Sequence, residues 1–153
     1  MKKLPLVLIV AFTLVVSVGM TAFSQTKTET NQKIYINKKG EIYDHGWNKI
    51  GFIGKDDIVK DSKGKTIYFI DKNGNVIDAT GKNLGKAQKN GNYYNLAGEN
   101  IITVKDKNAE ECEILDPKGH IMGTIHKNYK LHACAAHCLA LKQKIAKEKA
   151  KSN

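Results

Sequence analysis

Arginine is absent from the 153 residues, so all 25 basic side chains are lysines. Nucleic-acid recognition draws on Arg forks and on aromatic side chains set among basic ones. Aromatics make up only 7% of the chain, with one tryptophan, Trp47, and nucleic acid is excluded as a partner. Cysteine is scarce, at three residues. Their spacing matches no standard zinc signature, and no Cys-x-x-Cys-His run is present for haem attachment. Gly-x-Ser-x-Gly, a phosphate-cradling loop and His-Glu-x-x-His are all missing. No catalytic residue can be assigned, and the chain reads as a non-enzyme without a cofactor. Helical periodicity is missing over the whole stretch from Ile34 to Ile125.

One long apolar run is present, Leu4 to Val18, after Lys2 and Lys3 and ahead of Ala22-Phe23-Ser24. A short positive start, an apolar core and small residues at the cleavage positions define a secretory signal over residues 1–24. Export to the periplasm or the medium is therefore predicted, with cleavage before Gln25 and a flexible segment at 25–33. No Cys stands near the end of that run, which excludes lipid attachment there. The remaining charge is uneven. Thr26 to His126 holds 16 Lys against 14 acids, whereas Lys127 to Asn153 holds seven Lys against Glu148 alone. Basicity belongs to the tail.

Seven glycines share one context: Gly40, Gly64, Gly74, Gly81, Gly91, Gly98 and Gly119. Three residues earlier stand Asn37, Asp61, Asp71, Asp78, Gln88, Asn95 and Asp116, and three residues later an apolar side chain in every case. An Asp or Asn opening a type I turn bonds a backbone N–H two residues on. Glycine in fourth place supplies the left-handed residue of a three-residue hairpin loop. From Gly64 to Gly98 the spacings run 10, 7, 10, 7, which defines a unit of about 17 residues, two strands and two turns. The pattern predicts ten or eleven strands near 34–36, 41–43, 49–53, 57–59, 66–70, 75–77, 83–87, 92–95, 99–104, 110–115 and 120–125. So many short strands curl, and closure removes their edges. The expected fold of 34–126 is all-β, a closed or nearly closed shallow barrel of about five hairpin repeats.

Gly40-Glu41-Ile42-Tyr43-Asp44, Asn48-Lys49-Ile50-Gly51, Asp71-Lys72-Asn73-Gly74-Asn75-Val76-Ile77-Asp78 and Gly81-Lys82-Asn83-Leu84-Gly85 resemble the repeats of the five-fold β-flower proteins. These are small exported bacterial proteins. The resemblance spans Ile34 to Ile125 and runs on into the Ala-rich C-terminal segment. It implies a pseudo-symmetric barrel of five hairpins, loosely similar to the tubby-type barrel without its central helix. That family has no settled activity, so no residue role is carried over. The stretches Lys55–Lys60 and Lys105–Cys112 depart from the repeat.

After Ile125 the composition turns Ala- and Lys-rich without Gly or Pro. Leu131, Cys134, Cys138, Leu141 and Ile145 form a 3.6-residue stripe, which predicts a helix over about 131–149 within a C-terminal segment at 127–153. Its first half is expected to pack on the barrel, over one mouth, with His132 roughly opposite Cys134. Cys134, His137 and Cys138 are candidate metal ligands, with Cys112 or His126 to complete a site. The alternatives are plain packing of Cys134 and Cys138, or one disulfide joining Cys112 to Cys134 or Cys138, since a bond across one helical turn is strained. Asp61, Asp71, Asp78 and Asp116 read as turn caps. The functional expectation is a non-catalytic envelope module that binds a small apolar ligand or a partner protein. Two alternatives remain: a Lys-rich tail that engages anionic lipid or glycan, and a metal or redox protein built on Cys134, His137 and Cys138.

Overall fold

The structure, a computed structural model, describes residues 33–152, so the predicted signal and most of the 25–33 segment lie outside the described residues. Eleven strands follow one another: β1 (Ile34–Ile36), β2 (Glu41–Tyr43), β3 (Lys49–Ile53), β4 (Ile58–Asp61), β5 (Thr66–Ile70), β6 (Asn75–Asp78), β7 (Asn83–Ala87), β8 (Tyr93–Tyr94), β9 (Asn100–Asp106), β10 (Glu111–Leu115) and β11 (Ile121–His126). Each pairs antiparallel with the next, and β1 closes on β11. The closing pair is parallel, with Ile34 opposite Gly123 and Ile36 opposite Ile125. An odd number of up-and-down strands requires this, because the first and the last then run the same way.

The turns carry the fold. Asn37, Asp44, Asp61, Asp71, Asp78, Asn95 and Asp116 each accept, on one side-chain oxygen, the backbone N–H groups two and four residues on. All seven repeat glycines have positive φ, from 78° to 95°. Two further turns lack glycine in the left-handed place and hold Trp47 (φ 60°) and Asp57 (φ 55°) instead.

The 17-residue unit is visible in the core. Ile42, Val59, Val76 and Tyr93 recur at that interval and are fully buried, and Ile114 follows after a four-residue insertion. Beside each of these five residues the register shifts by a bulge. The structure is thus five bulged hairpins, β2–β3 to β10–β11, with β1 as the closing strand that makes the count eleven.

The ten turns alternate between two mouths. The entry mouth carries Gly40, Asp57, Gly74, Gly91 and the turn at 107–110 between β9 and β10, and the exit mouth carries Trp47, Gly64, Gly81, Gly98 and Gly119. A 3₁₀ segment, Lys127–Cys134, leads into α1, Ala135–Lys151. The 3₁₀ segment visits the entry turns in succession. The Tyr129 ring lies on Gly40 and the Lys130 carbonyl approaches Gly91. His132 meets Asp57, and the Lys127 N–H donates to Glu110.

The chain then enters the barrel. His132, Ala133, Cys134, Ala135 and Ala136 are each no more than 1% exposed, and five successive residues at about 100–120° apiece point in every direction around a helix axis. A helix laid over a mouth would keep one face wet, so these turns fill the lumen, as a helix that is apolar all round must be enclosed. Further on, Lys142 reaches Asp61, in a turn of the other mouth. The expected position over one mouth is corrected accordingly: the helix threads the barrel. An eleven-strand barrel is about 20 Å across between backbones, which leaves room for one helix with small side chains.

The two glycine sets respond differently to a methyl group. At Gly98 a Cβ would meet nothing within 4 Å, whereas at Gly91 it would run into Val104 and the Lys130 carbonyl. Gly98→Ala should cost about 1 kcal/mol for the left-handed backbone alone. Gly91→Ala should cost about 3 kcal/mol, because overpacking adds to the same strain. Urea unfolding of both variants checks the difference; equal losses would contradict a strapped entry mouth.

Candidate functional site

His132 is the one buried polar or charged residue among those described. Its Nε2 lies 2.9 Å from Asp57 Oδ1 and its Nδ1 lies 3.4 Å from the Tyr68 hydroxyl. The Cys134 thiol donates to that hydroxyl at 3.6 Å. One polarity satisfies the chain: Cys134 S–H to Tyr68, Tyr68 O–H to Nδ1, and Nε2–H to the Asp57 carboxylate. The expected opposition of His132 and Cys134 assumes one continuous α-helix. Lys127–Cys134 is 3₁₀ with a break at Tyr129, and both side chains therefore reach Tyr68.

Cys112, Cys138, Tyr68 and Tyr93 are held neutral. The S–H bond that Cys138 donates to the Cys134 sulfur, together with burial, pushes the Cys138 thiol up, and burial above all raises Tyr68 and Tyr93. Burial and the neighbouring Asp106 carboxylate raise Cys112. A thiol nucleophile needs exposure, and all three thiols are buried. Cys112, Cys134 and Cys138 are all free and buried. Of the alternatives read from the sequence, a bridge from Cys112 to Cys134 or Cys138 is absent from the structure: Cys112 sits on β10 and donates to Asp106 at 3.3 Å, while Cys134 and Cys138 neighbour each other on the inserted helix. His137 turns to the Tyr93 ring, 5.8 Å between centroids, and His126 Nδ1 accepts the Asn128 N–H. Among the described residues no three His, Cys, Asp or Glu side chains are placed to hold a metal ion. Cys134, His137 and Cys138 form no such group there.

A cleft opens where α1 leaves the barrel. It has a volume of about 500 Å³, within the range of small-molecule sites. Its walls are Ile67 and Leu84 from the barrel, and Cys138, Leu141 and Ile145 from the helix, with Tyr68 at its base. Lys65, Lys82 and Lys142 stand at its edge with Asp78 and Thr80. Leu141 is 38% exposed and Ile145 52%, so the apolar wall on the helix side faces open space. The stripe Leu131, Cys134, Cys138, Leu141 and Ile145 was legible in the sequence, but not that its last two members leave the barrel uncovered. Asp57, Tyr68 and Tyr93 gave no motif. Their signal is positional: each falls on a place of the 17-residue unit, and Asp57 stands where the neighbouring units have Gly40 and Gly74.

Among the described residues no helix is long and apolar enough to cross a membrane. No family model, curated protein or solved structure matches the chain.

The entry latch makes stability depend on pH. Burial lowers His132 below its ordinary value, partly offset by Asp57, and burial alone lowers His137. Below pH 6.5 the unfolded chain therefore binds more protons than the folded one, so stability falls as pH drops from 7 to 5. His132→Gln should flatten the dependence of the urea midpoint over that window; an unchanged slope would remove His132 as its source.

Proposed function

We propose that this chain is a non-catalytic, exported binding module that holds a small apolar ligand in the cleft at the helix exit. The single observation that carries the reading is the apolar wall left uncovered there, with Ile67 and Leu84 facing Leu141 and Ile145 across about 500 Å³. Elsewhere the barrel has no hollow centre to offer, because the helix fills it. The lysines at the cleft edge favour a ligand with an anionic end, since a positive rim raises the local concentration of anions. Membership in the five-fold β-flower family is part of the same proposal, supported by the 17-residue unit and the five bulged hairpins, while the helix in the lumen departs from the helix-free barrel that the resemblance implies.

An anilinonaphthalene sulfonate dye, an apolar ring system with one negative charge, tests it. One dye should bind per chain and be displaced by oleate. Leu141→Glu and Ile145→Glu should each weaken binding at least tenfold and leave the melting temperature unchanged, because both side chains are exposed. Dye binding that neither substitution affects would refute the cleft.

A second reading rests on the helix beyond the cleft. Lys142, Lys144, Lys147, Lys149 and Lys151 fall on its last turns, of which Lys144 to Lys151 contact no strand by hydrogen bond or ion pair among those described. Such a cationic helix suits an anionic lipid surface or glycan, each Lys contributing about 1 kcal/mol near lipid. Sedimentation with phosphatidylglycerol vesicles should then fall with added salt and vanish on deletion of the chain from Ala146 onward. Salt-independent sedimentation would exclude it.

A further inference from the structure

The five exit-mouth turns present Trp47, Gly64, Gly81, Gly98 and Gly119 at equivalent left-handed positions. Four are glycines with φ between 81° and 86°, and the fifth is the only tryptophan of the chain, at φ 60°. A bulky residue in this region is an outlier that local geometry must sustain against strain. Core packing does not account for it, because Trp47 is 67% exposed. One face of the indole is stacked on Tyr35, with centroids 4.7 Å apart and planes 16° apart. Tyr43 stands against it at 6.3 Å, tilted by 53°. The stacking fixes the indole and leaves its outer face open. Asp57, the other non-glycine at such a position, is explained by its bond to His132. Among the described residues the Trp47 side chain has ring contacts with Tyr35 and Tyr43 and no such polar partner.

Polar groups adjoin this platform on two sides, through the Tyr43 hydroxyl and through Asp44 at the head of the Trp47 turn. The Glu41 carboxylate accepts from Asn37, Tyr43 and Lys49, and these bonds, Lys49 foremost, hold its pKa at about 2. Asp44 begins the Trp47 turn, its carboxylate taken by backbone and by Asn48. A rigid aromatic face with ionised acceptors and donors at its edge matches one ligand chemistry. A sugar ring offers polarised C–H bonds on its flat side, which the negative face of an indole attracts, and hydroxyls around its rim. The rim also selects against an anionic membrane, since Glu41 and Asp44 place negative charge beside the platform and Lys49 is already paired with Glu41.

We propose that Trp47, braced by Tyr35 and Tyr43, is a stacking platform for a neutral saccharide at the exit mouth of the barrel. The site is separate from the cleft between α1 and the barrel, and either can stand without the other.

Because Trp47 is the only tryptophan, its emission reports directly on the platform. Cellotetraose and chitotetraose should each shift that emission saturably at millimolar concentration or below, with calorimetry giving the same affinity. Trp47→Gly installs the residue of the four equivalent turns, so the barrel should keep its melting temperature within a few degrees while calorimetric binding falls at least tenfold. Trp47→Phe should retain part of the affinity. The proposal is overturned if neither tetrasaccharide changes the emission, if Trp47→Gly binds as the parent does, or if Trp47→Gly fails to fold while Trp47→Phe binds as weakly as no protein. An emission shift with vesicles of zwitterionic or anionic lipid, without one for either sugar, would overturn it in favour of a membrane contact.

Discussion

An eleven-strand ring of such short strands encloses a hole the width of one α-helix, and a hole of that size in water is costly. Apolar walls around it would have lost their packing partners on one side. The chain meets this constraint with its own C-terminal segment. Ala133, Ala135 and Ala136 are small enough for a helix to fit among Ile42, Tyr68, Tyr93 and Ile114, and Cys134 and Cys138 add little more volume. The wall adapts in turn. Around the ring, β1, β3, β5, β7, β9 and β11 carry Ile34, Gly51, Tyr68, Gly85, Ile102 and Gly123 at equivalent places, so large and absent side chains alternate. The three glycines are not interchangeable with alanine, because a Cβ would meet the backbone carbonyl of Lys60, Tyr94 or Ile34 on the adjacent strand. Alternation of this kind lets a small barrel fill its interior without voids.

Strand order and number were legible in the sequence because each turn is written in residue types that do one physical thing. Asp or Asn at the head binds two N–H groups, and glycine in fourth place reverses the backbone; together they set every strand within a few residues. Trp47 and Asp57 take the left-handed place that glycine holds in the repeat, and the stretch Lys55–Lys60 around Asp57 was read as a departure from it. The structure shows the same turn in both, with Trp47 and Asp57 bearing the strain. A repeat constrains its exceptions: the place of Asp57 in the unit predicts a left-handed residue, and only the fold reveals that its carboxylate faces a buried imidazole.

The helix was half legible. Composition marked it, and the apolar stripe is real, but a stripe describes a helix with one dry side. For Ala133 to Ala136 every side is dry, and alanine is silent on this point because it is as common on exposed helices as in cores. The relevant sign was the absence of charge from Leu131 to Leu141, two whole turns beyond what a single buried face needs. The sequence left the thiols open between plain packing, a bridge and a metal site, and the position of the helix is what separates these. A bridge from Cys112 to the helix suits a helix resting on the barrel's surface, whereas insertion places Cys134 and Cys138 in the lumen and leaves Cys112 to Asp106. The candidate cleft was beyond reach from sequence, since it exists only because the helix emerges beside Ile67 and Leu84.

Strand parity decides where everything outside the barrel is displayed. With ten strands the chain would finish β-structure at the mouth where it began it; with eleven it finishes at the opposite one. From there a segment bound for the lumen must run back toward the mouth from which β1 starts. The strap of Lys127–Cys134 makes that reversal, held by Tyr129 on Gly40 and by His132 on Asp57, and α1 then carries the lysines out at the far side. The beginning of β1, the cationic end of α1, the apolar cleft and the Trp47 turn thus share one mouth. The other mouth is consumed by the strap. Adding or removing one strand would put the tail on the opposite side from β1 and separate it from Ile67 and Leu84, so the odd count and the filled lumen together assign all exposed chemistry to a single face.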